Sequence, residues 1–199
     1  QNKNLYEAKL LLQRAVQIDP NYADAYYNLG TVLIGLKEIQ EAIICFKKAI
    51  QINPNNPDAH NNIGNLFKEK GQIEEAETCY RKAIKINPEY ANAYNNLGTI
   101  SQKYKNFNEA INYYKKTIQL EPNFASAYNN LGLIFYEIEE YQKAINYYEK
   151  AIKIKPDYSE AYSSLGKVFK NLGDFEKTIN CFEKAIKYKS DDLMTLYYL

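Results

Sequence analysis

The chain has 199 residues, 25 basic and 24 acidic, and a net charge of +1 creates no field that would draw in nucleic acid or an anionic membrane. No apolar run approaches the roughly 18 residues of a membrane span. Gly and Pro number 8 and 6, too few for a loop-rich β protein or a disordered linker, so the expectation is a soluble, ordered chain with length for a sizeable core.

Residues 1–22 read as the second helix of a partial unit, in which Glu7-Ala8, Leu12, Ala15 and Pro20 take places that recur downstream. From Ala23 the chain repeats every 34 residues, as the prolines Pro20, Pro54, Pro88, Pro122 and Pro156 mark. Five units follow without insertion or deletion, 23–56, 57–90, 91–124, 125–158 and 159–192, and 193–199 coincide with the start of a next first helix. Counting places from Ala23, the eighth is Gly30, Gly64, Gly98, Gly132 and Gly166, and the twenty-fourth is Phe46, Tyr80, Tyr114, Tyr148 and Phe182. A period in this range is the signature of a repeat architecture, in which no single unit buries its apolar face alone.

Each unit carries two helical patterns. Places 3, 4, 7, 8, 10, 11 and 14 cluster on one face of the first, and places 2, 5, 6, 9, 12 and 13 on the opposite side. The second helix has its own stripe, for example Phe107, Ala110, Ile111, Tyr114, Thr117 and Ile118. The proline at place 32 lies just past it, where a helix must stop. A glycine inside a helix costs about 1 kcal/mol relative to alanine, so five in register require a packing reason: close approach of the paired helices, with the place-24 aromatic filling the space beside them.

The run Ala-Tyr-x-Asn-Leu-Gly, followed by Ala at place 20, an aromatic at 24, Ala at 27 and Pro at 32, resembles the tetratricopeptide repeat over the whole chain. Departures are His60 for Tyr at place 4, Ser101 at place 11, Thr117 and Thr178 for alanines, Ser190 for the last proline, and Lys37, Lys105 and Glu139 at place 15, often glycine in the family. These bear on local packing and turn geometry. The resemblance implies an all-α, right-handed superhelical solenoid of antiparallel helix pairs, whose concave groove, lined mainly by first helices, binds peptides or partner proteins.

The polar side of the first helices carries the functional expectation. Place 6 reads Asn28, Asn62, Asn96, Asn130 and Ser164, and place 5 reads Tyr27, Asn61, Asn95, Asn129 and Ser163. A carboxamide both donates and accepts hydrogen bonds, so one asparagine per unit can hold an extended chain by its backbone. Similar asparagine ladders occur in groove-binding members of the family, including the repeat region of protein O-linked N-acetylglucosamine transferases. Asn65 and Lys68 make the second unit polar, whereas Leu133 and Tyr136 make the fourth partly apolar, a candidate pocket for anchor side chains. Places 2, 5 and 6 contain no Lys or Arg, so a clamp for a chaperone's C-terminal carboxylate lacks its cations.

Catalysis finds no support. The single histidine, His60, stands where its siblings are Tyr26, Tyr94, Tyr128 and Tyr162, and reads as a packing substitute. Cys45, Cys79 and Cys181 share place 23; neighbouring equivalents stand about 8–10 Å apart, too far for a disulfide, and no zinc spacing exists. Unpaired thiols suit a reducing, intracellular compartment, taken as the cytoplasm. The expectation is a scaffold without cofactor or metal that binds a protein or extended peptide, and neither nucleic acid nor membrane. The alternative is the substrate-recognition region of a larger enzyme, such as a glycosyltransferase, whose catalytic domain lies outside the chain.

Overall fold

The computed structural model describes residues 2–189. Among them are eleven helices and no strand: α1 (Asn2–Ile18), α2 (Ala23–Gly35), α3 (Ile39–Ile52), α4 (Pro57–Glu69), α5 (Ile73–Ile86), α6 (Ala91–Lys103), α7 (Phe107–Leu120), α8 (Ala125–Glu137), α9 (Tyr141–Ile154), α10 (Ser159–Asn171) and α11 (Phe175–Tyr188). None among the described residues is long and apolar enough to cross a membrane. The chain divides into two compact units, 1–96 and 97–199, with the boundary inside α6. The reading of 193–199 as a further first helix, and Ser190, lie outside the described residues.

Within the first unit, α2 pairs with α3 and α4 with α5, while α1 packs on α2 and α3 on α4. Its core is built from Leu29, Leu33, Ile43, Phe46, Ile63 and Leu66. The second unit repeats the scheme: α8 pairs with α9 and α10 with α11, with α7 against α8 and α9 against α10. Tyr114, Leu131, Ile134, Tyr148 and Val168 form its centre, all completely buried. Each such side chain stabilises the fold by roughly 1.5–3 kcal/mol relative to an exposed one.

The place-8 glycines are contact points for the place-24 rings. A methyl group on Gly132 would come within 2.6 Å of the Tyr148 ring, and one on Gly30 within 2.9 Å of Phe46. No larger residue fits without moving a fully buried aromatic, an overpacking that costs typically about 1–3 kcal/mol.

The hairpin turn is the same in all five units. The place-15 residue takes a left-handed conformation: Lys37 φ 63°, Gly71 φ 78°, Lys105 φ 60°, Glu139 φ 62° and Gly173 φ 76°. Its amide donates back to place 12 and the next amide to place 11, as in Lys37 N to Ile34 O at 2.9 Å and Glu38 N to Leu33 O at 2.9 Å. This is the Schellman closure, which satisfies the last carbonyls of the first helix. The lysines and glutamate at place 15 thus keep the geometry expected of glycine, at the steric cost of a Cβ in this region.

The remaining departures are absorbed locally. Buried Thr117 and Thr178 each donate their hydroxyl to the carbonyl four residues back, at 3.0 Å to Tyr113 and 2.8 Å to Asp174. Ser101 Oγ donates to Glu109 Oε2 at 2.9 Å.

Candidate functional site

Places 5, 6, 9 and 12 succeed one another along one side of a first helix. In α4 they are Asn61, Asn62, Asn65 and Lys68, and Asn61, Asn65 and Lys68 meet Asn96 of α6. Asn96 is the hub. Its Nδ2 donates to Asn61 Oδ1 at 2.9 Å and to Asn65 Oδ1 at 3.0 Å, while its Oδ1 accepts from Lys68 Nζ at 3.4 Å. Asn65 Oδ1 accepts a second proton from the Tyr80 hydroxyl at 2.8 Å. Burial pushes the Lys68 ammonium below its ordinary range, against the opposing charge of Glu69.

One unit earlier, place 24 is Phe46, which has no hydroxyl. Tyr27 supplies one instead: its ring packs on Phe46 at 5.8 Å between centroids, and its oxygen accepts from Asn62 Nδ2 at 3.3 Å. Burial, and secondarily the charge of Asp58, raises the Tyr27 pKa, so the phenol stays protonated. Asn28 is exposed.

The second unit differs. The Tyr114 hydroxyl donates to Gln102 Oε1 at 2.8 Å, and the Asn130 carboxamide faces the same hydroxyl, offsetting part of the effect of burial on its acidity. The Tyr148 hydroxyl is buried without a hydrogen-bond partner. Place 9 of its unit, which in the second repeat is Asn65, is here Leu133. The Ser164 hydroxyl faces Tyr148 and offsets part of the effect of burial on its acidity, but does not close to bonding geometry. Asn129 Oδ1 is likewise buried and unpartnered. Leu133 and Tyr136 are half-buried; the Tyr136 ring lies 5.9 Å from Tyr141, and its hydroxyl accepts from Asn171 Nδ2 at 3.1 Å.

The pattern assigns place 5 to the open face, yet Asn61 and Asn129 are each only 5 % exposed. Place 5 is on the flank where one hairpin meets the next, as the Asn96 bond to Asn61 illustrates. Asn95 is half-buried, with its Oδ1 covered and unpartnered. Packing periodicity accounts for the place-24 tyrosines as space fillers and gives no sign of what their hydroxyls do. The available signal is tyrosine rather than phenylalanine at place 24 beside polar residues at places 9 and 12, as at Tyr80 with Asn65 and Lys68.

His60 is 3 % exposed, and its Nε2 lies 3.0 Å from Pro54 O, the same attachment that the Tyr94 hydroxyl makes to Pro88 O at 3.3 Å. A carbonyl only accepts, so Nε2 carries the proton. Burial holds the imidazole below its ordinary pKa. The three thiols are free, and burial pushes Cys79 and Cys181 up to about 11, leaving them protonated and weakly nucleophilic.

The profile described as "Tetratricopeptide repeat" matches residues 23–56, 91–124 and 159–192, and a second, described as "TPR repeat", matches 1–37, 64–103 and 132–173. Among solved structures, PilF of Pseudomonas aeruginosa superposes with a TM-score of 0.85 at 24% identity, over 100% of this chain and 90% of that one. YrrB, described as a TPR protein with an unusual peptide-binding site, gives a TM-score of 0.67 at 21% identity, over 94% and 96%. MamA gives a TM-score of 0.67 at 28% identity, over 83% and 97%. No functionally curated protein matches the chain.

Proposed function

We infer, from the premise that this chain belongs to the tetratricopeptide repeat family, that it is a non-catalytic scaffold holding an extended peptide or partner protein on its first-helix faces. The carrying observation is that Asn62 Nδ2 commits one bond to the half-buried Tyr27 hydroxyl, and the Asn130 carboxamide faces the buried Tyr114 hydroxyl. A carboxamide has further donor and acceptor capacity, and its orientation is set before a guest arrives, which lowers the entropy cost of binding. Asn28 adds an exposed carboxamide in the first repeat. Asn96 has the opposite role, because both its N–H groups serve Asn61 and Asn65. The proposed capture positions are therefore Asn28 and Asn62 in the first compact unit and, in the second, Asn130 with Leu133 and Tyr136 as its apolar neighbours. In this reading the likeness to asparagine-ladder members of the family is one of backbone capture.

A peptide array selects the probe, and a paired substitution tests the reading. Asn62→Ala with Asn130→Ala weakens capture of the selected peptide by about tenfold, while the circular dichroism spectrum stays unchanged. Full-strength capture by a normally folded double variant refutes the role of these carboxamides.

A further inference from the structure

Grooves along the second helices lie beside all three place-23 cysteines, Cys45, Cys79 and Cys181. Where that place is Tyr147, its ring stacks on Phe135 at place 11, with centroids 5.3 Å apart and planes 2° from parallel. In the last repeat place 23 is Cys181 and place 11 is Phe169. A groove of about 490 Å³ lies there between α9 and α11, floored by Ile145, Phe169 and Cys181 and bordered by Glu149, Glu176 and Lys177.

Charge decides what such a space accepts. Lys177 is already matched by Asp174 at 2.8 Å. Glu149 and Glu176 are exposed and enter none of the ion pairs among the described residues. Both carboxylates nevertheless act on Lys177 together with Asp174, so three carboxylates surround that one ammonium and the groove keeps an acidic excess above its apolar floor. The floor ring itself attracts cations: Lys177 Nζ stands 5.1 Å from the Phe169 centroid, as Lys143 Nζ stands 5.4 Å from Phe135. A planar group stacks on the ring in the neighbouring repeat, and a cation is favoured by the carboxylates here. Guanidinium is both planar and cationic, and it is more weakly hydrated than ammonium.

We propose that the α9–α11 groove receives an arginine side chain presented by a partner segment, with the guanidinium stacked on Phe169 between Glu149 and Glu176. The same construction recurs at Phe67 and Cys79, where a groove of about 420 Å³ is bordered by Glu74 and Glu75. At Cys45 the groove is about 240 Å³ and its place-11 residue is Leu33, which offers no ring for stacking. This groove is lined by residues of α9, α10 and α11, not by Asn130 of α8, and stands independently of the proposed carboxamides.

The test is a titration of the whole chain with acetyl-arginine amide, followed by amide NMR, with the lysine and citrulline amides as comparators. Arginine amide shifts the signals of Ile145, Phe169, Asn180 and Cys181, lysine amide binds more weakly, and citrulline amide, which lacks the charge, leaves them in place. Glu149→Gln with Glu176→Gln, both at exposed positions, weakens the response by about tenfold. Cys181→Tyr, which restores the ring found at Tyr147, abolishes it. An equal response to citrulline, a response undiminished in the glutamine variant, or none to arginine amide overturns the proposal. The glutamine variant decides the matter if the tyrosine variant does not fold.

Discussion

Asn96 in the first unit and Tyr148 in the second are both polar groups set against buried surface, and their surroundings treat them differently. Around Asn96 every donor of the carboxamide has an acceptor, and Tyr80 finds Asn65. Around Tyr148, Leu133 replaces the place-9 carboxamide and Ser164 replaces the place-6 asparagine, and both the hydroxyl and Asn129 Oδ1 are left without partners. The two regions share a backbone plan and differ by a few side-chain atoms. A tyrosine at place 24 is thus a stabilising hydrogen bond or a buried orphan depending on residues at places 6 and 9, because a buried polar group left unpaired costs more than a formed bond gains.

Three variants sharpen or break that comparison. Asn96→Ala has the largest effect: it strands Asn61 Oδ1 and should cost about 2 kcal/mol, read as a lower urea midpoint at constant slope. Tyr80→Phe removes one bond to Asn65 and should cost about 1 kcal/mol, whereas Tyr148→Phe removes an unpartnered hydroxyl and should change stability by less than about 0.5 kcal/mol or raise it. Equal losses at Tyr80 and Tyr148 would break the contrast. His60 gives the smallest effect. Its folded pKa is lowered by burial, so the unfolded chain binds the proton more readily. The associated stability is present above the unfolded value of about 6.5 and is lost as pH falls through the lower folded value. His60→Tyr, copying Tyr94, should flatten the melting temperature between neutral and mildly acidic pH relative to the parent chain.

Much of the architecture was legible in the residues because helix-pair packing repeats its constraints. Gly at place 8 and an aromatic at place 24 specify one another by volume, and Pro at place 32 ends the second helix whatever surrounds it. The polar face was less legible. Helical periodicity gives the direction of Asn61 but not the neighbour that covers it, since the bond from Asn96 joins residues 35 apart. The hydroxyls of Tyr80 and Tyr114 were invisible for a related reason: their rings satisfy the packing pattern whether or not the oxygen is used. At place 15 the backbone prevailed, and Lys37, Lys105 and Glu139 adopt a conformation that composition alone would reserve for glycine.

That turn also governs how a chain of this kind can change length. Both of its closing bonds run from amide to carbonyl, with no side chain involved, as at Lys105 N to Gln102 O (2.9 Å) and Asn106 N to Ser101 O (2.9 Å). Its residue identity is therefore free, but its residue count is not. One inserted residue carried into the second helix would turn its face by about 100° and take the place-24 ring off its glycine. Growth or loss by whole 34-residue steps preserves every contact of the hairpin, and smaller steps break it. The hairpin is a unit of currency that cannot be subdivided.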